Sequence, residues 1–201
     1  MKSLPKCALL IMVCATLAFS QDFGIRYGLG ASALRDHKAL MSLSFGPNAI
    51  RLFPAFSAGA GLALSFEVNE FFSIAPELQY TLYQAKGELT LETGADFDDL
   101  YEAGVILHSL ELPLLARFSF GSVYLEAGPQ IGRNIYARVY MNNELKKPKV
   151  NAFAFGPSLG GGVKLNKSVL FGLRGHFGLL EYAKNTNGYP WALHMGVSKF
   201  L

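Results

Sequence analysis

The stretch Phe72-Ser73-Ile74-Ala75-Pro76-Glu77-Leu78-Gln79-Tyr80-Thr81-Leu82-Tyr83 carries the clearest structural signal in the chain. Phe72, Ile74, Pro76, Leu78, Tyr80 and Leu82 fall on one parity; Ser73, Ala75, Glu77, Gln79, Thr81 and Tyr83 fall on the other. Successive side chains of an extended strand point to opposite faces, so this alternation predicts a strand between two unlike environments. The same signature recurs along the chain, and the second face is repeatedly built from glycine, serine and charge. Such a face cannot fill the core of a soluble sandwich. It suits the lumen of a barrel whose oily face meets lipid.

Other segments repeat the pattern. Phe56, Ala58, Ala60, Leu62, Leu64 and Phe66 alternate with Ser57, Gly59, Gly61, Ala63, Ser65 and Glu67. Leu110, Leu112, Leu114, Ala116, Phe118 and Phe120 alternate with Ser109, Glu111, Arg117 and Ser119. Phe153, Phe155, Leu159 and Val163 oppose Ala154, Gly156, Ser158, Gly160 and Gly162, and Val169, Phe171, Leu173 and Phe177 oppose Gly172, Arg174, His176 and Gly178. Arg133 interrupts an oily face, but near its outer end, where a cation can snorkel.

These segments predict strands at 22–33, 55–67, 71–84, 105–120, 123–137, 152–165, 169–180 and 191–200. Tight connections at 68–70, 121–122 and 166–168 alternate with long ones at 34–54, 85–104, 138–151 and 181–190. The expected fold is all-β: an eight-stranded antiparallel up-and-down transmembrane β-barrel, with short turns and both termini periplasmic and long loops outside. Phe66, Phe72, Phe118, Phe120 and Phe171 gather beside the tight turns, with Trp191 at the opposite end, as in interfacial girdles. Gly121-Ser122 fits a two-residue type II′ hairpin. That turn places Phe120 opposite Val123, Phe118 opposite Leu125 and Arg117 opposite Glu126, predicting a lumenal Arg117–Glu126 ion pair. Phe200 shares parity with the inward Ala192, His194, Gly196 and Ser198, so either a bulge rotates it outward or Leu201 takes the terminal outward position.

Residues 1–20 read as an export signal. Lys2 and Lys6 form a basic start, Ala8 to Leu17 an apolar run, and Ala18-Phe19-Ser20 a small-residue cleavage site before Gln21. The run is short for an uncleaved anchor. A lipoprotein site at Cys14 fits poorly because bulky Val13 precedes it. Residues 21–201 form the barrel domain. Both cysteines, Cys7 and Cys14, leave with the signal, so the mature chain has no disulfide or thiolate site. Loss of two lysines and no acid lowers the formal charge from +3 to +1, which gives no reason to expect a nucleic-acid partner. No later run is long and apolar enough for a helical span.

Five stretches carry a family resemblance. They are Phe23-Gly24-Ile25-Arg26-Tyr27-Gly28-Leu29-Gly30, Phe72-Ser73-Ile74-Ala75-Pro76-Glu77-Leu78-Gln79-Tyr80, Leu110-Glu111-Leu112-Pro113-Leu114-Leu115, Tyr124-Leu125-Glu126-Ala127-Gly128-Pro129-Gln130 and Gly160-Gly161-Gly162-Val163-Lys164-Leu165. Together they resemble the outer-membrane β-barrel domain family of the PorT type, common in Bacteroidetes-like bacteria. The resemblance implies an eight-stranded outer-membrane barrel with no common catalytic motif, some members of which assist protein secretion.

Candidate functional residues lie on the inward parity: Arg26, Glu77, Glu111, Arg117, Glu126, Arg174 and His176. Charges in a narrow lumen must pair, since isolated desolvated charges are costly, so the expected role is a register-fixing network. His176 and His194 face inward on neighbouring strands, but no third ligand has convincing spacing for a metal. No cofactor is expected. The run His108-Ser109-Leu110-Glu111 holds the residue types of a hydrolase, yet His108 faces away from Ser109 and Glu111. No Gly-x-Ser-x-Gly occurs. A diffusion pore is disfavoured, since eight strands leave room only for side chains.

The second long loop is acidic (Glu88, Glu92, Asp96, Asp98, Asp99, Glu102) and the third basic (Arg138, Lys146, Lys147, Lys149); ordinary solvated loops are expected, with docking to each other or to a charged partner as the alternative. The expected role is a non-enzymatic scaffold displaying loops, or an accessory to an envelope or secretion complex. Its partners would be outer-membrane lipid and envelope or secretion proteins. The alternative is an outer-membrane lipid-modifying hydrolase.

Overall fold

The computed structural model describes the backbone of residues 22–35, 42–45, 48–91, 99–141, 144–146, 151–182 and 189–201. The expected export signal lies outside these residues. The described strands are β1 Asp22–Arg35, β2 Ser42–Phe45, β3 Asn48–Asn69, β4 Phe72–Leu91, β5 Asp99–Phe120, β6 Val123–Met141, β7 Glu144–Lys146, β8 Phe153–Lys164, β9 Val169–Phe177 and β10 Tyr189–Phe200. Eight of them pair antiparallel with their neighbours, and β1 joins both β10 and β3 to close the barrel. The short β2 and β7 hang on β3 and β6 as edge additions. Closure leaves the eight main strands no free edge in the wall.

The β4 alternation holds residue by residue. Ser73, Ala75, Glu77, Gln79, Thr81 and Tyr83 are buried, whereas Ile74, Leu78 and Tyr80 are exposed on the outer wall. The Gly121 turn holds as well. Gly121 takes φ 62°, the positive value its place in a type II′ turn requires, and the expected pairs Phe120–Val123, Phe118–Leu125 and Arg117–Glu126 form. Asn69 and Asn166 stabilise the other two tight turns, each accepting a bond from an amide two residues on (Phe71 N and Ser168 N, 2.9 and 2.8 Å).

Sequence and structure part company at the far end of the barrel. The segments 34–54, 85–104 and 138–151 are not simply loops: β3, β4, β5 and β6 run on into them, reaching 22, 20, 22 and 19 residues. A membrane strand needs only about 9–11 residues, so these four rise well beyond a bilayer. They rise because each keeps pairing with its neighbour; Glu88 and Asp99 already belong to the β4–β5 ladder, where their segment was expected to be loop. The first tight turn is centred on Glu70 and Phe71, and β9 ends at Phe177 rather than 180.

A bulge also breaks the alternation of β6 beyond Arg133. His108 of β5 pairs with Tyr136 and Ser109 with Asn134, leaving Ile135 as an extra residue. The extra residue flips the parity beyond it. Ile135 and Arg138 are exposed on the outer wall, while Ala137 is buried inside.

Phe200 stays inside. No register shift interrupts the β1–β10 ladder, and Phe200 is buried with Ala63, Tyr124 and Leu170 at the tight-turn end of the lumen. Its ring lies 6.0 Å from the guanidinium of Arg117. Leu201, the next residue, is exposed, which gives it the outward terminal place.

Candidate lumenal site

Five of the inward charges meet in one cluster towards the tight-turn end of the barrel. Arg174 on β9 donates to Glu77 on β4 (Nη1–Oε2 2.5 Å, Nη2–Oε1 2.9 Å) and to Glu126 on β6 (Nε–Oε1 2.8 Å, Nη2–Oε1 2.5 Å). Arg117 on β5 holds the other oxygen of Glu126 through Nε at 3.2 Å and Nη2 at 3.0 Å. Arg26 on β1 donates to Ser198 at 3.1 Å and approaches Glu126 at 3.9 Å. All five side chains are almost wholly buried. Fork-to-carboxylate contacts of this kind are strong and directional, so they fix the register of the strands that carry them.

Glycine makes the room. One ladder row runs Gly59, Gly28, Gly196, Gly172, Gly162 across β3, β1, β10, β9 and β8 and meets Tyr124 of β6. A Cβ on Gly172 would lie 2.3 Å from the Tyr124 hydroxyl, and one on Gly160 would sit 3.0 Å from Glu126 Oε1. The Tyr124 ring in turn lies 5.3 Å from the Arg117 guanidinium, a cation–π contact.

Glu111 and His176 stand apart from this cluster. Thr81 Oγ1 donates to Glu111 Oε2 and the Tyr83 hydroxyl to Oε1, both at 2.7 Å. No cation forms an ion pair with Glu111 among the described residues. His176 shares Ser158 with Gln130 and packs its ring against Tyr83, with 6.4 Å between centroids. His194 bonds Ser57 at 2.6 Å. The two histidines are diagonal neighbours rather than a facing pair, since His194 opposes Arg174 and His176 opposes Ala192. No three metal-ligating side chains converge among the described residues. His108 is on the outer wall and Ser109 and Glu111 are inside, so no triad forms from that run.

Above the polar layer, Leu34, Tyr83, Ala85, Val105, Leu107, Ala137, Tyr182 and Ala192 form a buried apolar cluster. Tyr182 belongs to the connection after β9, and its carbonyl accepts from the Asn151 amide at 2.8 Å. Its segment reads as an outside loop, so this inward packing had no sequence signal beyond the aromatic residue itself. At the other end, beneath Phe200 and Arg117, a vestibule of about 570 Å³ opens between the tight turns. Asp22, Glu67, Glu70, Lys164 and Lys167 give it mixed charge. The lumen thus runs from an apolar cluster towards the loops, through neutral polar groups and the ion-paired cluster, to a vestibule that Arg117 and Phe200 line together. Of the loop charges, Arg138 lies in β6, while Glu92, Asp96, Asp98, Lys147 and Lys149 lie outside the described residues.

Known proteins bear on this geometry in three ways. A family model described as "Outer membrane protein beta-barrel domain" matches residues 19–182. No curated protein sequence matches the chain. Among solved structures, the outer membrane protein OprG from Pseudomonas aeruginosa is similar at TM-score 0.50 and 13% identity, over 90% of this chain and 96% of that one. Neisserial surface protein A (NspA) gives 0.47 and 13% over 88% and 96%, and Ail of Yersinia pestis gives 0.43 and 10% over 90% and 98%. At such identities the OprG likeness speaks for the fold alone.

Proposed function

We propose, for a chain that belongs to the outer membrane protein β-barrel domain family, a non-enzymatic, non-conducting role: a membrane-embedded scaffold that presents its tall strands and loops outside. The observation that carries this reading is the charge-filled lumen. The Arg26–Glu77–Arg117–Glu126–Arg174 cluster spans the bore, with a buried apolar cluster beyond it towards the loops. A bore filled by mutually satisfied charges needs no substrate to explain it.

In this reading both termini and the tight turns face the periplasm, since short turns lie on that side in barrels of this class. The vestibule would then face periplasmic proteins, which fits an accessory to an envelope or secretion complex, the role that the resemblance to the PorT type suggests. The hydrolase alternative draws no support from the outer wall, where His108 has tyrosines and not a serine beside it.

Affinity purification from native membranes tests the scaffold: co-purifying envelope proteins are expected, and turnover of labelled outer-membrane lipid would favour the hydrolase instead. Reconstituted protein should leave a planar bilayer unconductive. Tags within 85–104 or 138–151 should be reachable on intact cells; labelling at Gly121 on intact cells would invert the orientation.

A further inference from the structure

The outer wall holds a polar group that the lumen does not explain. On β4, β5 and β6, Tyr80, His108, Tyr136 and Arg138 form a continuous chain. The Tyr80 hydroxyl bonds His108 Nδ1, the His108 and Tyr136 rings lie 5.6 Å apart, and Arg138 Nε donates to the Tyr136 hydroxyl. The Arg138 guanidinium also sits 5.1 Å from the Tyr136 ring. Arg133 stands exposed on the same strand, opposite Leu110 and Phe153.

The bulge at Ile135 creates this group. With regular alternation, Tyr136 and Arg138 would share the inward parity of Asn134. The extra residue brings both onto the outer wall, in the same column as Arg133. Arg133 and Arg138 are then four rungs apart, roughly 13 Å along the strand, with Tyr136 between them. Long guanidinium side chains on such a spacing can close on one anion from two sides.

Neither arginine has a carboxylate partner among the described residues. Both lie past the apolar column Val123, Leu125, Ile131, whose side chains are all exposed on the outer wall. From Val123 to Arg133 is ten residues, about 25 Å of height for a strand tilted as in barrels, which matches the top of the lipid-facing band. Cations at that height meet lipid headgroups, not acyl chains.

We propose that Arg133, Tyr136 and Arg138 hold the phosphate of an outer-leaflet lipid against the barrel wall, with His108 and Tyr80 buttressing Tyr136. The leaflet assignment rests on the orientation proposed above; the phosphate site does not. Guanidinium forks fit phosphate oxygens, and the phenol beside them fixes one fork in place.

Native mass spectrometry of protein released from mixed micelles tests this. The probe is phosphorylated lipid A, set against the same lipid with its phosphates removed. The wild-type chain should retain the phosphorylated form with a preference of roughly tenfold or more, as two charge-assisted contacts give. The Arg133→Gln/Arg138→Gln protein should show none while keeping its folded gel mobility. Arg138→Lys, which keeps charge but loses the fork, should fall between them. Equal retention of the two lipids by the wild type, or an unchanged preference in the double variant, would overturn the site. Equal retention of phosphatidylglycerol would overturn the outer-leaflet source while leaving the phosphate site, whereas inverted surface labelling would overturn only the orientation. Release by millimolar inorganic phosphate would show a free-anion site, not a lipid one.

Discussion

Glu126 and Glu111 are both inward-facing, almost wholly buried carboxylates, yet the barrel satisfies them in opposite ways. Glu126 takes bonds from Arg117 and Arg174 and lies 3.9 Å from Arg26. Glu111 takes bonds from two neutral hydroxyls, Thr81 and Tyr83. The first arrangement is a linked set in which each charge is another's compensation. The second is local, between adjacent strands. Losing a member of the set strands charges in a low-dielectric bore, whereas losing the Glu111 charge strands nothing.

That contrast can be broken most decisively at Arg174, which among the described residues alone forms ion pairs with both carboxylates of the cluster. Arg174→Ala should cost about 3–5 kcal/mol in urea unfolding of the detergent-folded barrel, because Glu77 and Glu126 lose their main partner together. A loss below about 1 kcal/mol would mean that water enters the bore and replaces the guanidinium.

Arg117 should matter less, because Arg174 still holds Glu126. Arg117→Ala is expected to cost about 1–3 kcal/mol, and a neutral pair of similar volume at Arg117 and Glu126 should recover part of it. Purely additive losses in that cycle would show that the two side chains do not interact. Glu111→Gln sits at the small end, with an expected change of about 1 kcal/mol or less, since the amide oxygen can still accept from one hydroxyl. A loss as large as that of Arg174→Ala would show Glu111 to be charged and essential, erasing the distinction between the two carboxylates.

Much of this was legible in the sequence wherever alternation is unbroken. Parity alone puts Glu77, Arg117, Glu126 and Arg174 in the lumen, and the Gly121 turn fixes the Arg117–Glu126 pair. Parity does not say which inward charges meet. That depends on the stagger between strands: Glu77 and Arg174 lie 97 residues apart, on opposite sides of the bore. The bulge at Ile135 was invisible because an inserted residue leaves no compositional mark, and its cost is repaid only by tertiary packing of Ala137 and neighbours. The tall ends of β3 to β6 carry no such signal, because polar strands outside a membrane look like loops until their partners are known. Tyr182 likewise gains its burial only from the strands that surround it.

The glycine row has a consequence in time. Glycine loses more backbone freedom on folding than any other residue, so five in register across β3, β1, β10, β9 and β8 make that sector the costliest to order. It also contains the pairing most distant in sequence, β1 with β10, whereas β3 to β6 zip through neighbouring hairpins. Assembly should therefore run from the tall strands towards the glycine seam, with closure last. Trp191, the sole tryptophan, sits on β10 opposite Ala33 of β1 and Phe177 of β9, so its emission reports the seam alone. During refolding into micelles, Trp191 emission should lag the strand signal in circular dichroism, and alanine at Gly196 should lengthen that lag. Simultaneous traces would mean that the barrel closes in one concerted step.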